Sequence, residues 1–185
     1  MSNPSTPITR LQRLVLYGAL ICLGYTASLF LTYSFTVMPG LAALDDRAFV
    51  AAFQGLESRF QGDGSQYGNL PLLIGLPGAV AFAIAAAVQF RDTSHRIWLF
   101  AVPLVLGLGI VTTLRFNLPS NLVLFAAGDP NVIDVTAVRR TFDEARWTFW
   151  NNIRAATSTL AFGIVAYVLH RTSTASTTKT AGAPA

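Results

Sequence analysis

Apolar residues along this chain are gathered into four long runs, separated by stretches that hold most of the charged residues. The runs cover about residues 14–38, 70–90, 97–118 and 147–169. A helix that crosses a bilayer needs roughly 20 mostly apolar residues, because the hydrocarbon is about 30 Å thick and each residue adds about 1.5 Å. The pattern therefore predicts an all-α protein, a bundle of four transmembrane helices. We expect the first run to be retained, because it is too long for a signal peptide.

A shorter amphipathic stretch follows the first run. Asp45 or Asp46 can cap a helix there, because an aspartate side chain accepts hydrogen bonds from the first backbone N–H groups of a helix. Apolar positions recur after it at three- and four-residue steps, at Phe49, Phe53, Leu56 and Phe60. This spacing is typical of a helix with one apolar face. The sequence thus predicts an amphipathic interfacial helix in the first extramembrane loop, lying in the interface or covering the end of the bundle.

The chain is short enough for one compact domain, since it has 185 residues. We assign residues 1–171 to a four-helix membrane domain. Residues 172–185 are rich in Ser, Thr and Ala and lack an apolar face. Such low-complexity segments cannot bury enough apolar surface to order themselves, so we expect a disordered tail.

Composition supports the membrane class and excludes nucleic acid as a partner. Hydrophobic residues make up 52% of the chain and charged residues 12%, about half of the roughly 25% that is usual in soluble domains. The formal charge is +4, but no Lys/Arg cluster is interleaved with exposed aromatic residues. The arginines are densest in the N-terminal tail, the short turn after the second run and the C-terminal tail. This distribution favours a plasma-membrane protein with both termini cytoplasmic.

Polar chemistry is concentrated at one end of the predicted bundle. The third run ends in the sequence from Arg115 to Asn121, which contains Asn117 and Pro119. Proline lacks the N–H that a helix needs and disfavours helical angles at the residue before it, here Leu118. We therefore expect the helix to open at this point and a pocket to form, because irregular backbone at membrane depth must line a cavity or be covered by protein.

The fourth run begins with four residues on one helical face: Trp147, Trp150, Asn151 and Arg154. A guanidinium within a membrane should face the bundle and a partner. Antiparallel passes bring the end of the first run and the start of the second to the same place. Our candidate catalytic residues are Arg154, Asn151 and Asn117. Our candidate substrate-binding residues are Asn121, Trp147, Trp150, Arg115, Met38 and Asn69. Aromatic walls, amides and arginine suit a flat, phenolic or enolisable ligand.

The residues near this end hold no recognisable cofactor motif. His95 and His170 fall at the opposite end, no His, Cys or carboxylate group has metal-ligand spacing, and no Gly-rich phosphate loop occurs. We therefore predict no metal, haem or flavin. The expected partners are a small hydrophobic or aromatic molecule and membrane lipids, and the sequence is compatible with a homo-oligomer.

Three motifs carry a resemblance to a known family. They are Val37-Met38-Pro39 with the amphipathic helix, N-x-P-x-N from Asn117 to Asn121, and W-x-x-W-N-x-x-R from Trp147 to Arg154. In this order, within a four-span plan, they resemble the anthrone-oxygenase-like integral membrane family, also known as the domain of unknown function 1772. The resemblance implies oxidation of small molecules in aromatic polyketide pathways without metal or flavin. Many relatives have a histidine near residues 151–152, where this chain has two amides.

Two functions of different classes remain open, with transport as a third. In the first, an oxygenase converts an anthrone-type methylene to a quinone carbonyl. Arg154 stabilises the enolate, and the tryptophans stack on the rings. The substrate oxygens are oriented by Asn117, Asn121 and Asn151. No base is evident, although Tyr67 or Asp143 could approach from the loops. In the second, a non-enzymatic membrane protein binds a lipid or hydrophobic metabolite, or supports a partner complex, and Arg154 is a structural hub.

The arginine distribution leads to a topology prediction. A reporter fused after Gln61 should lie outside the cytoplasm, whereas one fused to the C-terminus should lie inside it, because cytoplasmic loops carry the excess of Arg and Lys. Paired alkaline phosphatase and fluorescent protein fusions measure this. A cytoplasmic Gln61 would overturn the predicted orientation.

Overall fold

The computed structural model describes residues 8–61, 70–90 and 93–181. Within these ranges every regular element is helical and there is no strand. The all-α fold class predicted from the apolar runs is therefore confirmed.

Eight α-helices follow one another along the described chain. They are α1 (Arg10–Thr32), α2 (Met38–Ala42), α3 (Asp46–Gln61), α4 (Leu70–Gln89), α5 (Thr93–Thr112), α6 (Leu118–Phe125), α7 (Val135–Phe142) and α8 (Glu144–Ala181). Two π-helical segments, Tyr33–Val37 and Thr113–Asn117, join α1 to α2 and α5 to α6 without a break.

Several of these helical stretches have the length and apolarity that a membrane span requires. Among the residues whose side chains are described, three do so: Arg10–Ala42, His95–Phe125 and Val135–Ser173. The described side chains of α4 add a shorter apolar stretch, Pro77–Gln89.

The four longest apolar helices pack side by side. Helix α1 contacts α4 and α8, and α5 contacts the same two helices. We call these four helices the bundle. Its core is formed by fully buried side chains that include Leu16, Leu23, Ala83, Leu99, Val102 and Val165. Small residues let α1 and α4 approach closely: a Cβ added at Gly18 would lie 2.9 Å from the Phe82 ring.

Shorter helices that connect the bundle helices cover one end of the bundle. Helix α3 contacts α6 and α7, which also contact each other, and we call these three helices the cap. Phe49 and Phe53, on the predicted apolar face of α3, are buried against Phe142 and Trp147. Asp45 accepts a hydrogen bond from the backbone N–H of Ala48, 2.8 Å away, and so caps α3 as the sequence predicts. The side chain of Phe60 lies outside the described residues.

Arg139 of α7 holds the cap together. Its Nε atom donates to Glu144 at 2.6 Å and its Nη1 atom to Asp46 at 3.1 Å, while its guanidinium lies 4.3 Å from the Phe49 ring centre. The pKa of the Asp46 carboxyl is below its ordinary value, because the Thr136 hydroxyl donates a hydrogen bond to it and Arg139 lies beside it. The carboxylate therefore stays charged where the cap helices meet.

The predicted opening of the helix before Pro119 is wrong. Leu118 keeps helical angles, with φ −60° and ψ −47°, and its N–H donates to the carbonyl of Thr113, five residues back. The same arrangement precedes Pro39, where Met38 donates to Tyr33. A proline removes one backbone donor, and a turn widened by one residue accommodates this without ending the helix.

Helix α8 is longer than the sequence predicts. It extends from Glu144 to Ala181, past the expected end of the fourth span at Leu169 and into the segment for which we predicted disorder. Thr172 is buried and its hydroxyl donates to the backbone carbonyls of Val168 and Leu169. These bonds satisfy the buried hydroxyl within its own helix.

The packing of α4 provides a paired test. Ala83 is fully buried in the bundle core, whereas Ala81, on the same helix, is exposed. Ala83→Leu should lower the free energy of unfolding by about 1–3 kcal/mol, because added methylene groups overpack a filled core. Ala81→Leu should change it little. Thermal unfolding of both variants in one detergent measures the difference, and equal stabilities would show that this core is misplaced.

Candidate functional site

A group of buried polar side chains lies where α8 meets the two π-helical segments. Helix α8 contributes Asn151 and Arg154, the first π-helical segment contributes Tyr33 and Ser34, and the second contributes residues Thr113 and Asn117. Asn151 is fully buried, Asn117 almost so, and only 7% of Arg154 is exposed. All three candidate catalytic residues therefore occupy one region.

The hydrogen-bond partners and aromatic neighbours of the Arg154 guanidinium are neutral. Its Nη2 atom donates to Asn151 Oδ1 at 2.8 Å, and its Nη1 atom lies 3.4 Å from Thr113 Oγ1. Its central carbon lies 4.6 Å from the ring centre of Phe30 and 5.4 Å from that of Trp147, so both aromatic faces stabilise the charge. The Thr113 hydroxyl donates to the carbonyl of Gly109, which leaves its oxygen lone pairs for the arginine.

Asn151 connects Arg154 to the first helix. Its Nδ2 atom donates to the carbonyl of Phe30 at 2.9 Å and to Ser34 Oγ at 2.7 Å, while its Oδ1 atom accepts from Arg154. Only one orientation of this amide directs its oxygen to the arginine and its nitrogen to the two acceptors. Asn151 therefore positions the guanidinium and joins α8 to the first π-helical segment.

A second amide connects this region to the cap. Asn121 Nδ2 lies 3.0 and 3.1 Å from the two carboxylate oxygens of Glu57, and its Oδ1 atom accepts from the Trp147 indole N–H at 2.6 Å. Only 7% of Glu57 is exposed. Glu57 and Arg154 lie within electrostatic range of each other and of Tyr33. A buried carboxylate and a buried guanidinium thus share one end of the bundle.

Two buried polar atoms have no hydrogen-bond partner within the part of the chain that the structure describes. They are Arg154 Nε, a donor, and Asn117 Oδ1, an acceptor. The Nδ2 atom of the same Asn117 donates to the carbonyl of Trp147 at 3.0 Å. Leaving a buried polar atom unpaired costs about 1–3 kcal/mol, so such atoms require an explanation.

The other predicted site residues are distributed around this network. Trp147 is buried within it, and Met38 is buried in the cap core beside Trp147. Trp150 stacks on Phe116, with ring centres 3.8 Å apart and 1° between the planes. Arg115 is exposed, with its guanidinium 5.6 Å from the Phe116 ring centre. Trp150 and Arg115 thus pair with Phe116 rather than with the buried network. Asn69 lies outside the described residues.

Sequence reasoning missed four polar residues that the structure brings to this site: Tyr33, Ser34, Glu57 and Thr113. A signal for Glu57 was present, because it lies four residues after Phe53 and eight after Phe49, on the apolar stripe of α3. A carboxylate in such a stripe indicates a buried charge. Tyr33 and Thr113 carry no comparable signal.

The two residues that we considered as bases differ in what the structure shows of them. Asp143 is exposed at the junction of α7 and α8, where it accepts a hydrogen bond from the backbone N–H of Arg146 at 3.1 Å. It therefore caps α8 and does not face the network. Tyr67 lies outside the described residues.

Comparison with known proteins identifies the family. A sequence model described as anthrone oxygenase matches residues 66–164, which is more than half of the chain. The chain belongs to the anthrone oxygenase family. The resemblance seen in the three motifs is thereby confirmed. No curated protein and no solved structure matches the chain. The family match contains Thr113, Asn117, Asn151 and Arg154, whereas Tyr33 and Glu57 precede it.

Neighbouring amides allow a matched test of the buried network. Asn151→Leu should lower the free energy of unfolding by about 1–3 kcal/mol or more, because Arg154 Nη2 and the Phe30 carbonyl lose a buried partner. Asn152→Leu should stay within about 0.5 kcal/mol of the parent, because Asn152 is exposed. Thermal and denaturant unfolding measure both. If the two variants were equally stable, the hydrogen bonds of Asn151 would contribute nothing to the fold.

Proposed function

We propose that this protein is a cofactor-independent oxygenase that converts the activated methylene of an anthrone-type compound to a carbonyl. The observation that carries the proposal is the Arg154 guanidinium, buried among neutral partners with its Nε donor unpaired in the described part of the chain. A buried donor of this kind is suited to a developing negative charge. Membership of the anthrone oxygenase family supports the same chemistry.

The proposal places the bundle in a membrane. Helices α1, α4, α5 and α8 cross it as a four-helix transmembrane bundle, and α3 lies at the interface on the non-cytoplasmic side. Helix α4 has 20 residues, or roughly 30 Å at about 1.5 Å per residue, which is enough to span the hydrocarbon. In this setting Arg154 lies below the surface, where water competes little for the anion.

Each step of the reaction has a candidate group. A methylene conjugated with a carbonyl loses a proton to Glu57, the buried carboxylate in electrostatic range of Arg154. Arg154 Nε donates to the enolate oxygen that forms, and Asn117 Oδ1 accepts from a phenolic hydroxyl of the substrate. The electron-rich carbon then reacts with O2 to give a hydroperoxide. Loss of water leaves the carbonyl, so one oxygen atom enters the product and the other leaves as water.

The conservative substitution of Arg154 tests this role. Arg154→Lys keeps the charge but loses the planar array of donors. The variant should insert and fold, while kcat/KM for anthrone oxidation falls by about 100-fold or more, as happens when one oxyanion donor is removed. Oxygen uptake and quinone absorbance of purified protein in nanodiscs with a chelator measure this, against the protein-free rate. Arg140→Lys, at an exposed position of α7, is the matched control.

Three results would contradict the proposal. A wild-type protein that does not exceed the protein-free rate would remove the assigned activity. A stable and fully active Arg154→Lys protein would show that the anion site lies elsewhere. A variant with a lowered melting temperature and unchanged turnover would show that Arg154 serves packing alone.

A further inference from the structure

A groove runs along α8 on the side of the bundle, away from the cap. Its volume is about 810 Å³, within the roughly 300–1,000 Å³ of pockets that bind drug-sized ligands. Ser34 and Asn152 line one end, and Trp98 and Tyr167, whose rings lie 6.0 Å apart, line the other. Asn152 and Tyr167 are separated by 15 positions in α8, or roughly 22 Å at about 1.5 Å per residue. The groove is therefore long and narrow.

The lining of the groove selects against charge. Small residues of α8, among them Ala156 and Gly163, form its floor, and Phe35 forms part of a wall. The polar lining groups are hydroxyls, one side-chain amide and one indole N–H, and none of the described lining residues is charged. A phospholipid headgroup at either end would find no ionic partner there. A neutral oxygen atom could accept from the Asn152 amide or from the Ser34 hydroxyl.

One end of the groove touches the buried network. Ser34 lines the groove, and its Oγ atom also accepts from Asn151 Nδ2 at 2.7 Å. Asn151 in turn accepts from Arg154. Two side chains thus separate the groove from the guanidinium. A ligand in the groove would present its polar edge to the candidate site without passing through the cap.

We propose that this groove is the binding site through which a neutral, flat, polycyclic aromatic ketone or phenol enters from the bilayer, with its oxygen-bearing edge towards Ser34. This rests on the proposed function and adds to it the binding site and the route of entry. Compounds of this class partition into lipid, so an entrance on the side of the bundle meets them where they are concentrated. The aromatic residues at the far end would contact the rings.

Two glycines provide a test with a matched control. A Cβ added at Gly163, in the groove, or at Gly107, on α5 and outside it, meets no atom within 4 Å. The probe is a neutral anthracene that carries a diazirine, photolysed with full-length protein in phosphatidylcholine nanodiscs and mapped by mass spectrometry. We expect attachment within residues 31–35, at Trp98 or within residues 152–167, which line the groove, and competition by anthrone but not by anthraquinone sulfonate. Gly163→Leu should lower the labelling about tenfold, since it fills the space that the ligand needs, and Gly107→Leu should not.

The outcomes separate the groove from the catalytic proposal. Labelling confined to residues that do not line the groove, equal labelling of the two glycine variants, or labelling that anthrone does not displace would overturn the groove site. The last result would indicate that only lipid acyl chains occupy the groove. If wild-type protein shows no turnover but the labelling behaves as expected, the groove site is supported and the oxygenase proposal is contradicted. If turnover depends on Arg154 but the KM of Gly163→Leu is unchanged, the oxygenase proposal is supported and the groove site is contradicted.

Discussion

The burial of one guanidinium is the constraint on which this end of the protein depends. Removing an arginine side chain from water carries a large desolvation cost, so its surroundings must compensate. Around Arg154 the compensation comes from an amide, a hydroxyl and two aromatic faces. These direct contacts are neutral acceptors and aromatic rings, so none of them neutralises the charge, and the Glu57 carboxylate lies within electrostatic range of it.

The two π-helical segments supply part of the polar network around this charge. Each ends two residues before a proline, Pro39 in one case and Pro119 in the other. The widened turn compensates for the donor that the proline lacks and rotates the residues that follow, relative to a regular α-helix. Ser34 and Asn117 lie in these segments and bind α8. The same widened turns that accommodate the two prolines therefore also bring polar side chains to the site.

Much of this arrangement could be predicted from sequence because it depends on local periodicity. Apolar runs set the helical elements, and the face shared by Asn151 and Arg154 follows from their three-residue spacing. The continuation through Pro119 could not be predicted, because the choice between a broken helix and a π-turn depends on packing against α8. Glu57 was missed for a related reason. Its partner Asn121 is 64 positions away, and only the folded cap brings the two together.

Trp147 belongs to the cap core and to the buried network at once. Its ring packs against Phe53, its indole N–H binds Asn121, and its carbonyl accepts from Asn117. It is also the one tryptophan of the three that is fully enclosed, since Trp98 is half exposed and Trp150 partly so. The fluorescence of Trp147 should therefore respond to the packing of α3 against α8. Any separation of α3 from α8 would expose this indole to water, so a change in tryptophan emission would report movement of the cap.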